Sequence, residues 1–156
     1  MGDCAMLVFG APDQDLQHRD HAIRCAVVIQ KLIALVNLHR QRQGLRTLCF
    51  HIGVNSGQML AGNIGSSERM NYTVIGDTVN LASRLASSAE AGQIIITQQL
   101  QDELSDAEYQ PTVIFHDVLT LRGKQNPVNT YRVIDINGAR EQSTQLFRQT
   151  LDIHAK

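Results

Sequence analysis

The chain has 156 residues, enough for one domain whose core needs neither disulfide nor structural metal. Hydrophobic residues make up 43% and charged residues 19%, the mix of an ordinary globular domain. The net charge of -1 excludes a basic field that gathers nucleic acid, so an anionic ligand has to be met by local positive charge and backbone N–H groups.

The three cysteines, Cys4, Cys25 and Cys49, sit in apolar runs without C-x-x-C spacing. They read as buried free thiols, which favours a reducing, cytoplasmic compartment. No apolar run approaches the ~18 residues of a membrane span. No basic stretch followed by an apolar one marks a signal peptide.

In chain order, Cys4–Phe9 is an apolar run closed by Gly10-Ala11-Pro12 and reads as a buried strand ending in a turn. Asp20 is the expected N-cap of a helix from His21 to about Gln43. Its stripe is Ala22, Ala26, Ile29, Ile33 and Val36, and Gly44 is its stop. Leu45–Val54 reads as a strand, Asn55-Ser56-Gly57 as a turn, and Gln58–Ile64 as a second strand. A loop over Gly65–Arg69 leads to a short strand, Tyr72–Ile75. Thr78–Ser88 follows as a helix with Val79, Leu81, Ala82, Leu85 and Ala86 inward. Ile94–Ile96 reads as a buried strand, and Thr97 caps a short helix to about Leu104. Val113–Leu121 and Thr130–Ile136 read as paired strands. Residues 1–136 form the domain. Residues 137–156 form a polar tail whose Leu146, Phe147, Leu151 and Ile153 fit a surface helix.

Asn71-Tyr72-Thr73-Val74-Ile75-Gly76-Asp77-Thr78-Val79-Asn80-Leu81-Ala82-Ser83-Arg84-Leu85 resembles the signature of class III adenylate and guanylate cyclases. Gly2-Asp3 and the run after it resemble that family's metal-binding hairpin. His51–Gly57 and Ala61–Gly65 resemble its central strand pair, and Leu121-Arg122-Gly123-Lys124 its late phosphate-binding loop. No G-x-x-x-x-G-K-[ST] loop competes with this reading.

The resemblance implies an α+β fold: a ferredoxin-like mixed sheet with covering helices. It implies a head-to-tail dimer with the nucleotide between subunits, and Mg²⁺ or Mn²⁺ as cofactor. Thr73 falls where the family reads the purine, and a threonine there goes with adenine. Asn80 matches the residue that positions the ribose, and Arg84 the one that contacts the phosphates. Asp3 matches a metal carboxylate, and Lys124, with Arg122 as a rival, a lysine that meets the terminal phosphates. These residue types suit the chemistry. Intramolecular phosphoryl transfer needs alignment and charge neutralisation, which a forked, permanently charged guanidinium supplies. Hard cations take carboxylate oxygens. The plain alternatives are a solvated helix arginine, an ordinary polar asparagine, a turn aspartate, a β-branched strand residue and a solvated loop lysine. Asp77 reads as a charge at a helix start, and the six histidines as structural or surface residues.

Neither the family's first metal carboxylate nor the adenine-contacting lysine before the Gly-Asp pair occurs in the sequence. The expectation is therefore a domain lacking its first strand or strands, weak or inactive alone, in a homodimer or domain-swapped assembly. Upstream sensory or regulatory domains are expected in the full-length protein. The leading activity is that of an adenylate cyclase making cyclic AMP and pyrophosphate from ATP. The alternatives are a guanylate cyclase and a non-catalytic dimerisation or nucleotide-binding module. A diguanylate cyclase is set aside because its Gly-Gly-Asp/Glu-Glu-Phe signature is absent.

Overall fold

The computed structural model describes residues 4–66, 69–104, 110–120 and 127–136. Helix α1 (His18–Arg42) starts before the apolar stripe does. Asp20, expected as its cap, lies in the first turn instead, where it complements the helix dipole and faces Arg24 at 3.7 Å. The cap position is Gln17, whose backbone N–H donates to the Asp15 carboxylate at 2.9 Å. The stop at Gly44 is present. With φ at 68°, Gly44 donates its N–H to Gln41 O and Leu45 donates to Arg40 O, which closes a Schellman motif.

The remaining elements are β1 (Ile52–Val54), β2 (Leu60–Ser66), β3 (Arg69–Ile75), α2 (Asp77–Ser88), β4 (Ile94–Thr97), α3 (Gln98–Glu103), β5 (Pro111–Leu119) and β6 (Val128–Ile136). Four strands form one mixed sheet in the order β1-β4-β6-β5, with β1 parallel to β4 and the other pairs antiparallel. Strands β2 and β3 form a separate antiparallel hairpin. This is the α+β architecture expected from the sequence.

The Ile94–Ile96 run is buried on both faces of the sheet, which is why it is apolar without alternation. Ile94 and Ile96 join Val133 and Ile136 against Ile23, Ala26 and Val27 of α1 and Leu100 of α3. Ile95 points the other way, onto Leu81, Leu85 and Ala89.

Several expectations are corrected. Cys4–Phe9 forms no strand, and Met6 and Leu7 are exposed. Of the strand expected over 45–54, only Ile52–Val54 forms, leaving Leu45, Leu48 and Phe50 exposed. The reason is pairing. An apolar run becomes a strand only beside another strand, and among the described residues β1 pairs with β4 alone, over Ile52–Val54. Cys4 and Cys49 are accordingly exposed and Cys25 half-buried; all three are free thiols, as expected, but not buried ones. Burial pushes the Cys25 thiol up from its ordinary value. The loop expected at Gly65–Arg69 is largely strand, because Gly65 pairs with Met70 and Ser66 with Arg69. Helix α1 is by length and composition long and apolar enough to cross a membrane, contrary to the sequence reading, yet it packs Ile23, Ala26 and Val27 into the core.

Gly53, the middle residue of β1, has no room for a side chain. A Cβ there would collide with the Ala82 carbonyl oxygen and the Ala86 nitrogen, and would lie 2.8 Å from Leu85 Cβ. Helix α2 thus rests backbone to backbone on β1. Gly53→Ala is expected to lower unfolding stability by about 1–3 kcal/mol or more, because the obstructing atoms belong to a helix backbone. Urea denaturation of the two proteins checks this; a midpoint equal to the parent's would sink the close-contact account.

Candidate functional site

Strand β3 runs into α2 with only Gly76 between them. Gly76 has φ 145° and ψ 171°, a conformation in which side-chain-bearing residues are strained. Its carbonyl accepts from the N–H of Val79 at 3.1 Å and of Asn80 at 3.2 Å, so the helix begins immediately. Asp77 lies in the first turn, as expected of a charge complementing the dipole.

Leu81 and Leu85 turn inward, while Asn80 and Arg84, four residues apart and so on one face of the helix, are exposed. Neither side chain makes a hydrogen bond or ion pair with a described residue. Thr73 lies on β3 opposite Gly62 and is half-buried, while its neighbour Val74 is buried. The Thr73 hydroxyl likewise has no partner among the described residues. The structure therefore brings Asn80 and Arg84 together and places Thr73 on the strand that feeds their helix. Asp3, Lys124 and the rival Arg122 lie outside the described residues.

The start of α2 is tied to its surroundings by polar groups, among them Asn55, which was expected in a turn. Asn55 Nδ2 donates to Thr78 O at 3.1 Å, and Thr97 Oγ1 donates to Asn55 Oδ1 at 3.3 Å. Thr97 Oγ1 also accepts from Leu100 N–H at 3.2 Å, which is the expected cap of α3. Thr78 Oγ1 donates to Gln58 O at 2.8 Å. Next to Asn55, Ser56 Oγ accepts from Arg19 Nε at 3.0 Å, and the same nitrogen reaches Glu103 Oε2 at 2.6 Å. Burial pushes the Glu103 carboxyl up, but its bonds to Gln99, Arg19 and Ser56 outweigh that and hold it below 4.5.

Three of the histidines among the described residues make structural contacts. His21 Nδ1 meets Asp15 Oδ2 at 2.7 Å, His18 Nδ1 meets Asp15 O at 2.7 Å, and His51 Nδ1 meets Ala89 O at 2.7 Å. Asp15 is the partner carboxylate that the sequence reading did not foresee. Its bond to His21, then the Gln17 N–H, lowers its carboxyl below the ordinary value. Among the described residues no three His, Cys, Asp or Glu groups gather as a metal site, so they do not by themselves fit a metal ion.

Residues 1–135 match the model of the adenylate and guanylate cyclase catalytic domain. Adenylate cyclase 1 of Rhizobium meliloti is 37% identical over 84 residues, covering 54% of this chain and 13% of that protein. The adenylyl cyclase CyaB of P. aeruginosa superposes with a TM-score of 0.73 at 30% identity, covering 81% of this chain and 65% of that one. The guanylyl cyclase Cya2 superposes with a TM-score of 0.74 at 32% identity, covering 83% and 64%. The chain thus spans a small fraction of the curated relative and just under two thirds of each solved domain. It belongs to the class III adenylate and guanylate cyclase catalytic domain family.

Two predictions follow from this geometry. Asn80→Ala and Arg84→Ala should each change unfolding stability by no more than about 0.5 kcal/mol, since neither side chain supports a described residue. Thermal denaturation that showed either one holding the fold together would remove the reason for reading them as ligand groups. The second concerns acid. Glu103 is held below its ordinary value when folded, so in that interval the unfolded chain binds more protons. Its contribution is full above about 4.5 and is lost as pH falls through the folded value. For a part-exposed pair it is worth under about 1 kcal/mol. Glu103→Gln should make the acid limb of a stability-versus-pH curve shallower; an unchanged limb would show that the bonds from Gln99 and Arg19 to Glu103 are not formed in solution.

Proposed function

We propose that this cyclase domain is the catalytic module of an adenylate cyclase, converting ATP to 3′,5′-cyclic AMP and pyrophosphate. The observation that carries the reading is the Asn80–Arg84 pair, two polar side chains on one face of a firmly seated helix with no described partner of their own. In this reading Arg84 neutralises charge on the phosphoryl oxygens while Asn80 orients the ribose. The 3′-oxygen forms a bond to the α-phosphorus, the bond to pyrophosphate breaks, and the 3′-hydroxyl proton passes to water. Fixed alignment and a guanidinium poised for the developing charge are the two contributions such a step asks of a protein. The Thr73 hydroxyl reads the adenine edge, and Lys124 meets the terminal phosphates.

Divalent metal ions serve cyclases of this family. We assign Asp3 as a ligand for Mg²⁺ or Mn²⁺; one carboxylate is too few for a metal pair, and none of the roles above depends on it. Two exposed side chains on one helix do not exclude water from a reacting phosphate. The second half of the site is therefore assigned to another cyclase surface, in a homodimer or a domain-swapped assembly, and the chain alone is weakly active. The compartment that fits ATP and three free thiols is the cytoplasm.

A guanylate cyclase is the second reading, favoured by the guanylyl cyclase neighbour at 32% identity. Incubation with ATP or GTP and Mn²⁺, followed by mass spectrometry of the cyclic product, separates the two. Cyclic AMP from ATP is expected, falling about a hundredfold or more in Arg84→Ala. Preferential cyclic GMP would select the second reading. No cyclic product from either nucleotide, at high protein concentration as well, would leave the domain a non-catalytic module.

A further inference from the structure

We propose that Asn55 is a positioning residue of the nucleotide site, a latch that sets where α2, and with it Asn80 and Arg84, stands along the end of β1. This inference rests on the cyclase reading above. An asparagine beside serine and glycine ordinarily bonds its own neighbours in a turn. The Asn55 side chain does not. Its amide nitrogen spans 23 positions to the Thr78 carbonyl, and its amide oxygen accepts from Thr97, 42 positions away.

The amide is suited to this because it donates at one end and accepts at the other. A carboxylate would keep only the acceptor, and an aliphatic residue neither. In an α-helix the Thr78 carbonyl already accepts from the N–H four residues on. The bond from Asn55 occupies its second lone pair, so it adds direction without making a turn of helix. Asn55 is therefore not needed for α2 to exist; it fixes where α2 stands. Gly53, two residues earlier, sets how closely α2 approaches β1, and Thr78 Oγ1 on Gln58 O pins the outer side of the first turn. On the other side Thr97 is 2% exposed and also caps α3, so the latch is anchored in the core and not in a loop. At ~1.5 Å per residue, Asn80 lies about 3 Å and Arg84 about 9 Å beyond Thr78 along the axis. A shift of the first turn is passed directly to both, and a misplacement of about 1 Å at a reacting centre costs on the order of a hundredfold in rate.

The test compares Asn55→Ala and Asn55→Asp with the parent chain, each with and without Arg84→Ala. The readouts are amide hydrogen exchange over residues 78–84 and steady-state cyclisation of ATP with Mn²⁺. Faster exchange at the start of α2 is expected, with exchange in β4 unchanged. A kcat lower by about tenfold is expected, with KM within about twofold, because the transition state is what misalignment penalises. In the Arg84→Ala background the Asn55 substitution should add little, since Asn55 acts through that residue and its neighbour. The Asp variant should behave like Ala, having lost the donor but kept size and acceptor, and it carries the test if Ala does not fold. Unchanged exchange over 78–84 overturns the latch whatever the nucleotide does. Loosened exchange with unchanged kcat, or losses that multiply in the double variant, overturns its role in the site. Insensitivity of nucleotide turnover to Arg84→Ala is a different result: it removes the cyclase reading itself, and the positioning role with it, while the exchange data still show whether Asn55 holds the helix.

Discussion

The arrangement depends on one close contact, the backbone of α2 lying directly on Gly53 of β1. Helices usually rest on sheets through interleaved side chains, at a distance those side chains can adjust. Here there is no such cushion. Strand β1 is short, Ile52–Val54, and it is held only by β4 among the described residues, so the seat of α2 is defined by β4 through β1. That places the two-sided Ile94–Ile96 run at the centre of the molecule in a functional sense as well. Ile95 packs under α2 while its neighbours pack under α1 and α3. The position of the outer face of α2 is thus fixed by the whole core.

The polar bonds around the first turn of α2 refine what the Gly53 contact sets coarsely. A backbone contact fixes distance but allows sliding, whereas directed bonds resist it. Asn55 and Thr97 supply that direction from the ends of β1 and β4, Thr78 supplies it from α2 by its bond to Gln58 O, and Gly76 supplies it from the chain itself by starting the helix without a linker. The Arg19–Ser56–Glu103 group ties the same corner to α1 and α3. Each of these bonds is modest on its own, about 0.5–1.5 kcal/mol net, and their value lies in geometry more than stability.

Much of this was legible in the residues, and what was not has identifiable causes. The caps at Gly44 and Thr97, the helix over the signature, the pairing of the last two strands and the buried isoleucine run all follow from local chemistry, and the structure contains them. Cys4–Phe9 and Leu45–His51 were misread because an apolar run reports burial potential, while a strand also needs a neighbour, and sequence alone does not name one. Asp20 was misplaced because Gln17, a poor cap by type, occupies the position with help from Asp15. Asn55 was read as a turn former because its long-range partners are a main-chain carbonyl and a threonine, neither of which leaves a pattern in sequence. Asn80, Arg84 and Thr73 stand out only through resemblance; by composition they are ordinary surface and strand residues.

The contrast between Asn55 and the Asn80–Arg84 pair states how the domain divides its work. The Asn80 and Arg84 side chains bond no described residue, and the groups that carry the corner around α2 touch no ligand in this reading. A guanidinium bonded to a neighbouring carboxylate would have to break that bond before meeting a phosphate, and the cost would appear in every turnover. Arg84, with no partner among the described residues, avoids that cost, provided something else holds the helix still. A bare pair on a loosely seated helix would bind a triphosphate in many geometries, and only a small share of them would align the ribose oxygen with the phosphorus. The glycine contact and the directed bonds of Asn55 and Thr78 are therefore the condition under which an unpartnered face can act as a reaction surface, and a second cyclase surface closing over that face is what would make it dry.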